Sequence, residues 1–190
     1  MLHKYIDILF NKVNNHLNSK FEEKNILKIV NNAELYNSFC NNSKVLKKDS
    51  LENCILMNIC NLKLEDITLN PHYYKQRGDI YVKLKKPFNF NIYVYFHSMF
   101  YNENYFKGIT YLSSIISYFH INYSFNSENT ADIIENNLSD FNISIINDDD
   151  NRLYNTLKIP YMPSFLIKIG LIQISGEDNF DITFSGIKNF

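Results

Sequence analysis

The strongest constraint on this chain is the stretch Leu153 to Ile174, LYNTLKIPYMPSFLIKIGLIQI. Pro160-Tyr161-Met162-Pro163 punctuates it twice, and proline donates no backbone hydrogen bond and biases the preceding residue toward extended geometry. From Phe165 to Ile174 the run is apolar except for Lys168, Gly170 and Gln173. The chain is therefore expected to leave a short helix, bend at the two prolines and enter a long, largely buried strand. No catalytic signature lies in this stretch, so its expected role is that of a structural hub.

Such a strand needs a core around it, and the chain can supply one. Its 190 residues are 45% hydrophobic and 15% aromatic, which suits a single folded domain. A formal charge of -1 gives neither a global basic footprint for nucleic acid nor a polybasic membrane anchor. Asn, Lys, Ile, Tyr and Phe abound beside only two Ala and two Arg, a bias that suits AT-rich codons and carries no function. No apolar run reaches the roughly 18–20 residues that span a bilayer. The N-terminus alternates polar and apolar residues, unlike the core of a signal peptide. Cys40, Cys54 and Cys60 show no CxxC spacing, which argues against a disulfide framework or zinc site and for a reducing compartment.

Periodicity places the elements. Leu2, Tyr5, Ile6, Leu9, Phe10, Val13 and Leu17 recur every three or four residues, an amphipathic helix expected to end near Asn18-Ser19. Ile26 to Val30 suits a short strand, and residues 31 to 50 carry no clear pattern. Cys54 to Cys60 reads as a buried strand, and Glu65 to Lys86 as a surface connection with a short strand at Ile80-Tyr81-Val82. Phe90, Ile92, Val94 and Phe96 form one apolar strand face, with Tyr93 and Tyr95 on the other. A second helix carries Tyr105, Ile109, Leu112, Ile116 and Phe119 as its stripe. Residues 120 to 138 read as a polar loop with a short helix, and Phe141, Ile143 and Ile145 as a strand. Asp148-Asp149-Asp150 precedes a helix with Leu153, Tyr154 and Leu157. After the long strand, 176–179 is a turn, and Phe180, Ile182 and Phe184 alternate with Asp181 and Thr183 as a terminal strand. The expected class is α+β, α/β-like in its alternation: a mixed sheet packed by two main helices. Residues 1–175 form the domain, and 176–190 are a turn and edge strand of that domain or an exchanged tail.

Candidate chemistry is sparse. The acidic run at 148–150 lacks the spaced ligands and glycine of a calcium loop and suits helix capping. His97 ends a strand, but no HxxxH, HExxH or Ser/His/Asp grouping accompanies it, so a packed or surface histidine is expected. Cys54 and Cys60 share strand parity and read as small buried hydrophobes. Lys83, Lys85 and Lys86 beside Phe88 and Phe90 resemble a single-strand nucleic-acid patch, although the same aromatics serve a strand core. No catalytic residue, cofactor or metal ligand is assigned. Two alternatives stay open: a small α/β enzyme with a pocket near His97 and the acidic run, and a nucleic-acid-binding module using the three lysines.

The order of these segments resembles the N-terminal domain of the cap or terminator proteins of contractile injection systems, the DUF4255 or Pvc16-type family. The similarity rests on the strand Pro87 to Phe96, on the helix Tyr105 to Phe119 with its continuation to Thr130, and on Leu153–Leu157 preceding Tyr161–Ile169. Tyr154 stands where the family often has Trp, and Gly170 where Arg is common. The resemblance implies a tail-terminator-like single domain that closes the distal end of an inner tube and contractile sheath and stops polymerisation. Implied partners are copies of itself in a ring of six, the tube protein and the sheath protein, without nucleic acid or direct membrane insertion. Assembly in a bacterial cytoplasm into a phage-tail-like particle is implied too. Tyr161, Met162, Lys168, Phe180, Ile182 and Phe184 are the expected interface residues.

Overall fold

The computed structural model of the chain describes residues 2–40, 51–65, 73–77, 80–84, 88–147 and 161–174. Helix α1 (Leu2–Phe21) buries Tyr5, Ile6, Ile8, Leu9, Val13 and Leu17, the face expected from the three-and-four spacing. It runs past Asn18-Ser19 to Phe21. Glu22 then adopts a left-handed φ of 56° and returns its N–H to the Asn18 carbonyl at 2.9 Å, which ends the helix.

Strand β1 (Leu27–Val30) leads into α2 (Asn32–Cys40), a helix that lies where the sequence showed no clear pattern. Its start is a reciprocal capping box. Glu34 N–H donates to Asn31 Oδ1 at 2.8 Å, and Asn31 N–H donates to Glu34 Oε2 at 2.9 Å.

Strand β2 spans Ile55–Glu65, five residues beyond the expected end at Cys60. The stretch read as a surface connection contains a hairpin, β3 (Tyr73–Arg77) and β4 (Ile80–Leu84), so the short strand expected at 80–82 has an antiparallel partner. The remaining elements are β5 (Phe88–Ser98), α3 (Tyr105–Ile121), β6 (Ser124–Phe125), α4 (Ala131–Glu135), β7 (Phe141–Ile146) and β8 (Ser164–Ile174). The expected helix at Leu153–Leu157, the acidic run and residues 176–190 lie outside the described residues.

Six strands form one mixed sheet in the order β1-β2-β5-β8-β7-β6. Only β1 and β2 run parallel; the other pairings are antiparallel. The fold is thus α+β, with a central sheet covered mainly by two helices. The two longest ladders meet at β5, which joins β2 on one side and β8 on the other. The pleat sends alternate β5 side chains to opposite faces. Ile92, Val94 and Phe96 enter the main core with α1, α3 and Ile167, Ile169 and Ile172 of β8. Tyr95 enters a smaller cluster on the other face with Val30, Leu35 of α2, Leu56, Met99 and Met162.

The stripe of α3 is rotated from the expected one. Gly108, Tyr111, Leu112, Ser114, Ile115 and Phe119 are buried, whereas Tyr105 and Ile116 are exposed. Tyr111 is fixed from three sides, edge-on to Phe21 and Phe100, with its hydroxyl donating to Glu23 at 2.9 Å. An aromatic of that size sets the rotation of the helix, because burying it contributes more than burying Ile116 would.

Candidate assembly surface

Three of the expected interface residues lie on or next to β8, and they differ sharply in accessibility. Tyr161 is 66% exposed. Its neighbour Met162 is buried inside the smaller cluster, against α2 and the second face of the sheet. Met162 precedes Pro163, which biases it toward extended geometry. Lys168 is half-buried in mid-strand, between Tyr93 of β5 and Ser144 of β7. Phe180, Ile182 and Phe184 lie outside the described residues. Gly170, two positions on, faces Asn91 closely: a β-carbon there would stand 3.3 Å from Asn91 Oδ1. The strand therefore has little room for a branched or long side chain at that point.

The larger accessible apolar surface lies at the opposite side of the sheet. β1 pairs with only the first four residues of β2, Ile55 to Asn58. Beyond them, no described strand covers the outer edge of β2. Cys60 forms a bulge between Ile59 and Asn61, after which Leu62 and Leu64 share a face with Ile59. Their cross-strand partners Val94, Ile92 and Phe90 belong to the main core or pack against it. Yet Ile59, Leu62 and Leu64 are 41%, 47% and 52% exposed. A row of alternating large apolar residues on an open edge is a surface that pairs with another strand. The alternation Asn61-Leu62-Lys63-Leu64-Glu65 carried that signal in the sequence, but the strand was expected to stop at Cys60. A second apolar surface opens α3, where Phe106 is 79% exposed and packs edge-on to Tyr105.

The candidate chemical groups are placed differently. His97 is fully buried on the second face of the sheet, stacked on Tyr95 at 5.2 Å. Burial pushes its pKa down to about 3, so it is neutral at ordinary pH. A shallow pocket of about 70 Å³ lies elsewhere, lined by Lys12, Tyr118, Asn122, Phe125, Asn129 and Thr130. Ser124 is also part of its lining, and the Thr130 hydroxyl donates to Asn129 Oδ1 at 2.9 Å. Cys54 and Cys60 both turn to the smaller cluster, as their parity suggested, and their thiols donate to the carbonyls of Leu51 and Tyr93. Burial raises the Cys54 pKa to about 11, which leaves an unreactive thiol. Among the described residues, no group of three His, Cys, Asp or Glu side chains could hold a metal ion. Lys83 sits on β4 opposite Tyr74, while Lys85 and Lys86 lie outside the described residues. Nor is any described helix long and apolar enough to cross a membrane.

Among the described residues, accessible apolar surfaces lie on β2, at the start of α3 and at Tyr161. A model of the Pvc16 N-terminal domain matches residues 11–182. The chain belongs to that family. No curated protein matches it. Among solved structures, the chain is similar to the sheath/tube terminator of an extracellular contractile injection system, PVC, in its extended state. That likeness has 7% identity and a TM-score of 0.42, over 72% of this chain and 49% of the other. It is also similar to the tube-terminating cap of the anti-feeding prophage, with 8% identity and a TM-score of 0.45 over 83% of this chain and 58% of that one. The chain thus spans about half the length of each solved terminator.

Proposed function

We propose that this chain is the structural domain of a cap that closes the distal end of the inner tube and contractile sheath of a phage-tail-like injection particle. The observation that carries the reading is membership of the Pvc16 N-terminal domain family across residues 11–182. Exposed apolar residues such as Ile59, Leu62 and Leu64 on β2 and Phe106 at the start of α3 support it, because they leave surface available for contacts. The domain acts by assembly and without catalysis.

A head-to-tail polymer stops when its last layer binds a subunit that offers no equivalent surface to the next. A closed ring of copies of this chain, six in number, meets that requirement through one set of contacts within the ring and another to tube and sheath. Tyr161 and Lys168, braced from within by Met162, belong to the contacting side of β8. The terminal strand with Phe180, Ile182 and Phe184 completes the sheet edge to which a sheath strand adds. Assembly takes place in the bacterial cytoplasm.

Electron microscopy of particles from a strain lacking the gene tests this function. Tubes and sheaths of uncontrolled length, or sheaths that contract spontaneously, are expected. Particles of normal length with stable extended sheaths would refute it. Deleting residues 176–190 alone is expected to detach the sheath from the cap.

A further inference from the structure

The seam between α1 and α3 carries charge of one sign. On α1, Lys12, His16 and Lys20 follow one another every four residues and so share a stripe. Ser114 and Tyr118 of α3 meet that stripe. His16 Nε2 lies 2.9 Å from Ser114 Oγ, and Lys20 Nζ donates to the same oxygen at 2.9 Å. The His16 ring packs on Tyr118 at 4.8 Å. Past Tyr118 the seam deepens into the pocket of about 70 Å³, whose lining includes Lys12, Tyr118 and Ser124.

Little among the described residues answers these cations. α3 has no acidic residue, and Asp7, the one acid of α1, lies about 140° around the helix from Lys12. Glu23 is paired with Lys107. Glu128 and Asp132 belong to the segment beside the pocket, but neither is part of its lining. Desolvation and the charge of Lys20 lower the pKa of His16, so the ring is a neutral wall at ordinary pH.

Inside the pocket, Asn122 and Asn129 spend amide hydrogens on the carbonyls of Tyr118 and Ser124, at 3.0 and 2.8 Å. Lys12 Nζ, the Tyr118 hydroxyl and Ser124 Oγ are unspent donors. Burial raises the Tyr118 pKa, so the phenol keeps the proton it would donate. A pocket of about 70 Å³ has the room of roughly two waters at about 30 Å³ each, which suits the carboxylate of one side chain. One ammonium and two hydroxyls would give that carboxylate charge-assisted hydrogen bonds. Lys20 stands about 12 Å further along the helix, close to the ~13 Å that four residues of an extended chain cover. Single-stranded nucleic acid would need open rings to stack on, whereas Tyr118 is already covered by His16.

We propose that the α1–α3 seam docks an extended acidic segment of a partner protein. One carboxylate of that segment enters the pocket and meets Lys12, Tyr118 and Ser124, and a second, four residues away, meets Lys20. Ser114 holds the Lys20 ammonium on the seam for this contact. The docking does not rest on the cap function, so either can fail alone.

The test uses the full chain and a fluorescent peptide, acetyl-GEGSGEG-amide, at low ionic strength. Its glutamine counterpart, acetyl-GQGSGQG-amide, and inorganic phosphate serve as controls. Anisotropy is expected to show binding of the glutamate peptide alone, weakened roughly fivefold by Lys12→Gln and by Lys20→Gln. Lys63→Gln on β2, which removes the same charge elsewhere, should leave it unchanged. Carbodiimide coupling of the bound peptide should place amide bonds at Lys12 and Lys20, mapped by mass spectrometry. Equal losses in all three variants would reveal a general attraction for anions and overturn the site. So would an absence of binding, coupling confined to other lysines, or displacement by phosphate at the peptide's own concentration. Lys20→Gln also removes the hydrogen bond to Ser114, but Lys12→Gln breaks no such contact. Unaltered binding in Lys12→Gln would therefore overturn the proposal by itself.

Discussion

Gly108 of α3 lies so close to Ser98 at the end of β5 that a β-carbon on the glycine would overlap the serine Oγ. The same β-carbon would stand 2.7 Å from Phe100 Cβ, so two neighbours bar it. The helix backbone approaches the Ser98 and Phe100 side chains here, and this sets the seat of α3 on the sheet.

Gly108→Ala is therefore expected to destabilise the fold although alanine is the better helix former. Overpacking costs about 1–3 kcal/mol, more than the ~1 kcal/mol of propensity gained. Thermal unfolding should show a fall of several degrees. Adding Ser98→Gly should return part of that fall, because Phe100 remains in the way.

Tyr5 ties α1 to the loop before β7, 134 residues away. Its hydroxyl accepts the Ser139 N–H at 3.1 Å and shares a 2.9 Å hydrogen bond with Ser139 Oγ, while its ring meets Phe141 edge-on at 5.3 Å. Tyr5→Phe keeps the ring packing and removes both hydrogen bonds. A loss of about 1–2 kcal/mol is expected from urea unfolding, with no change in the dependence on denaturant.

His97 gives the fold a pH dependence of definite sign. Its folded pKa, lowered to about 3 by burial, lies below the 6.5 of an unperturbed histidine. The unfolded chain therefore binds the proton first, and stability is full above pH 6.5 and lost as pH falls toward 3. Once below 6.5 the loss from this group is about 1.4 kcal/mol per pH unit. Desolvation and Lys20 lower the pKa of His16 as well, which adds a contribution of the same sign. Urea midpoints at pH 7.5, 6 and 5 should fall more steeply for the native chain than for His97→Phe. Parallel curves would show that His97 is not the group responsible.

Phe106 is the most exposed large apolar side chain among the described residues. Phe106→Ser is expected to change unfolding free energy by no more than about 0.5 kcal/mol, as for a surface substitution. If the side chain serves assembly, the same variant reduces the fraction of particles that carry a cap, counted by electron microscopy.

Much of the architecture could be read from the residues alone. The faces of α1 and β5 followed from spacing because every apolar residue in those repeats is used for packing. In α3 spacing misled, since Tyr105 and Ile116 fit the stripe by hydropathy but Tyr111 and Gly108 fix the rotation by size and close approach. The helix α2 was legible in principle as Asn31-Asn32-Ala33-Glu34, a capping box obscured by the polar residues around it. The length of β2 was harder to read, because the bulge at Cys60 interrupts the period of two, and the alternation from Asn61 to Glu65 resumes only beyond it. Accessibility of Tyr161 against Met162 could not be read either, since both are large, and only the packing of Met162 into the cluster around Leu35 separates them.

The two-sided use of β5 reaches beyond packing, to how such a domain can change over generations. Ile92, Val94 and Phe96 fill one cluster while Tyr95 and His97 line the other. One residue inserted or deleted among them would exchange the two sets, sending an imidazole into the aliphatic side and valine against tyrosine's former neighbours. Lineages of this domain can lengthen or shorten at their turns, but β5 is a fixed ruler within them.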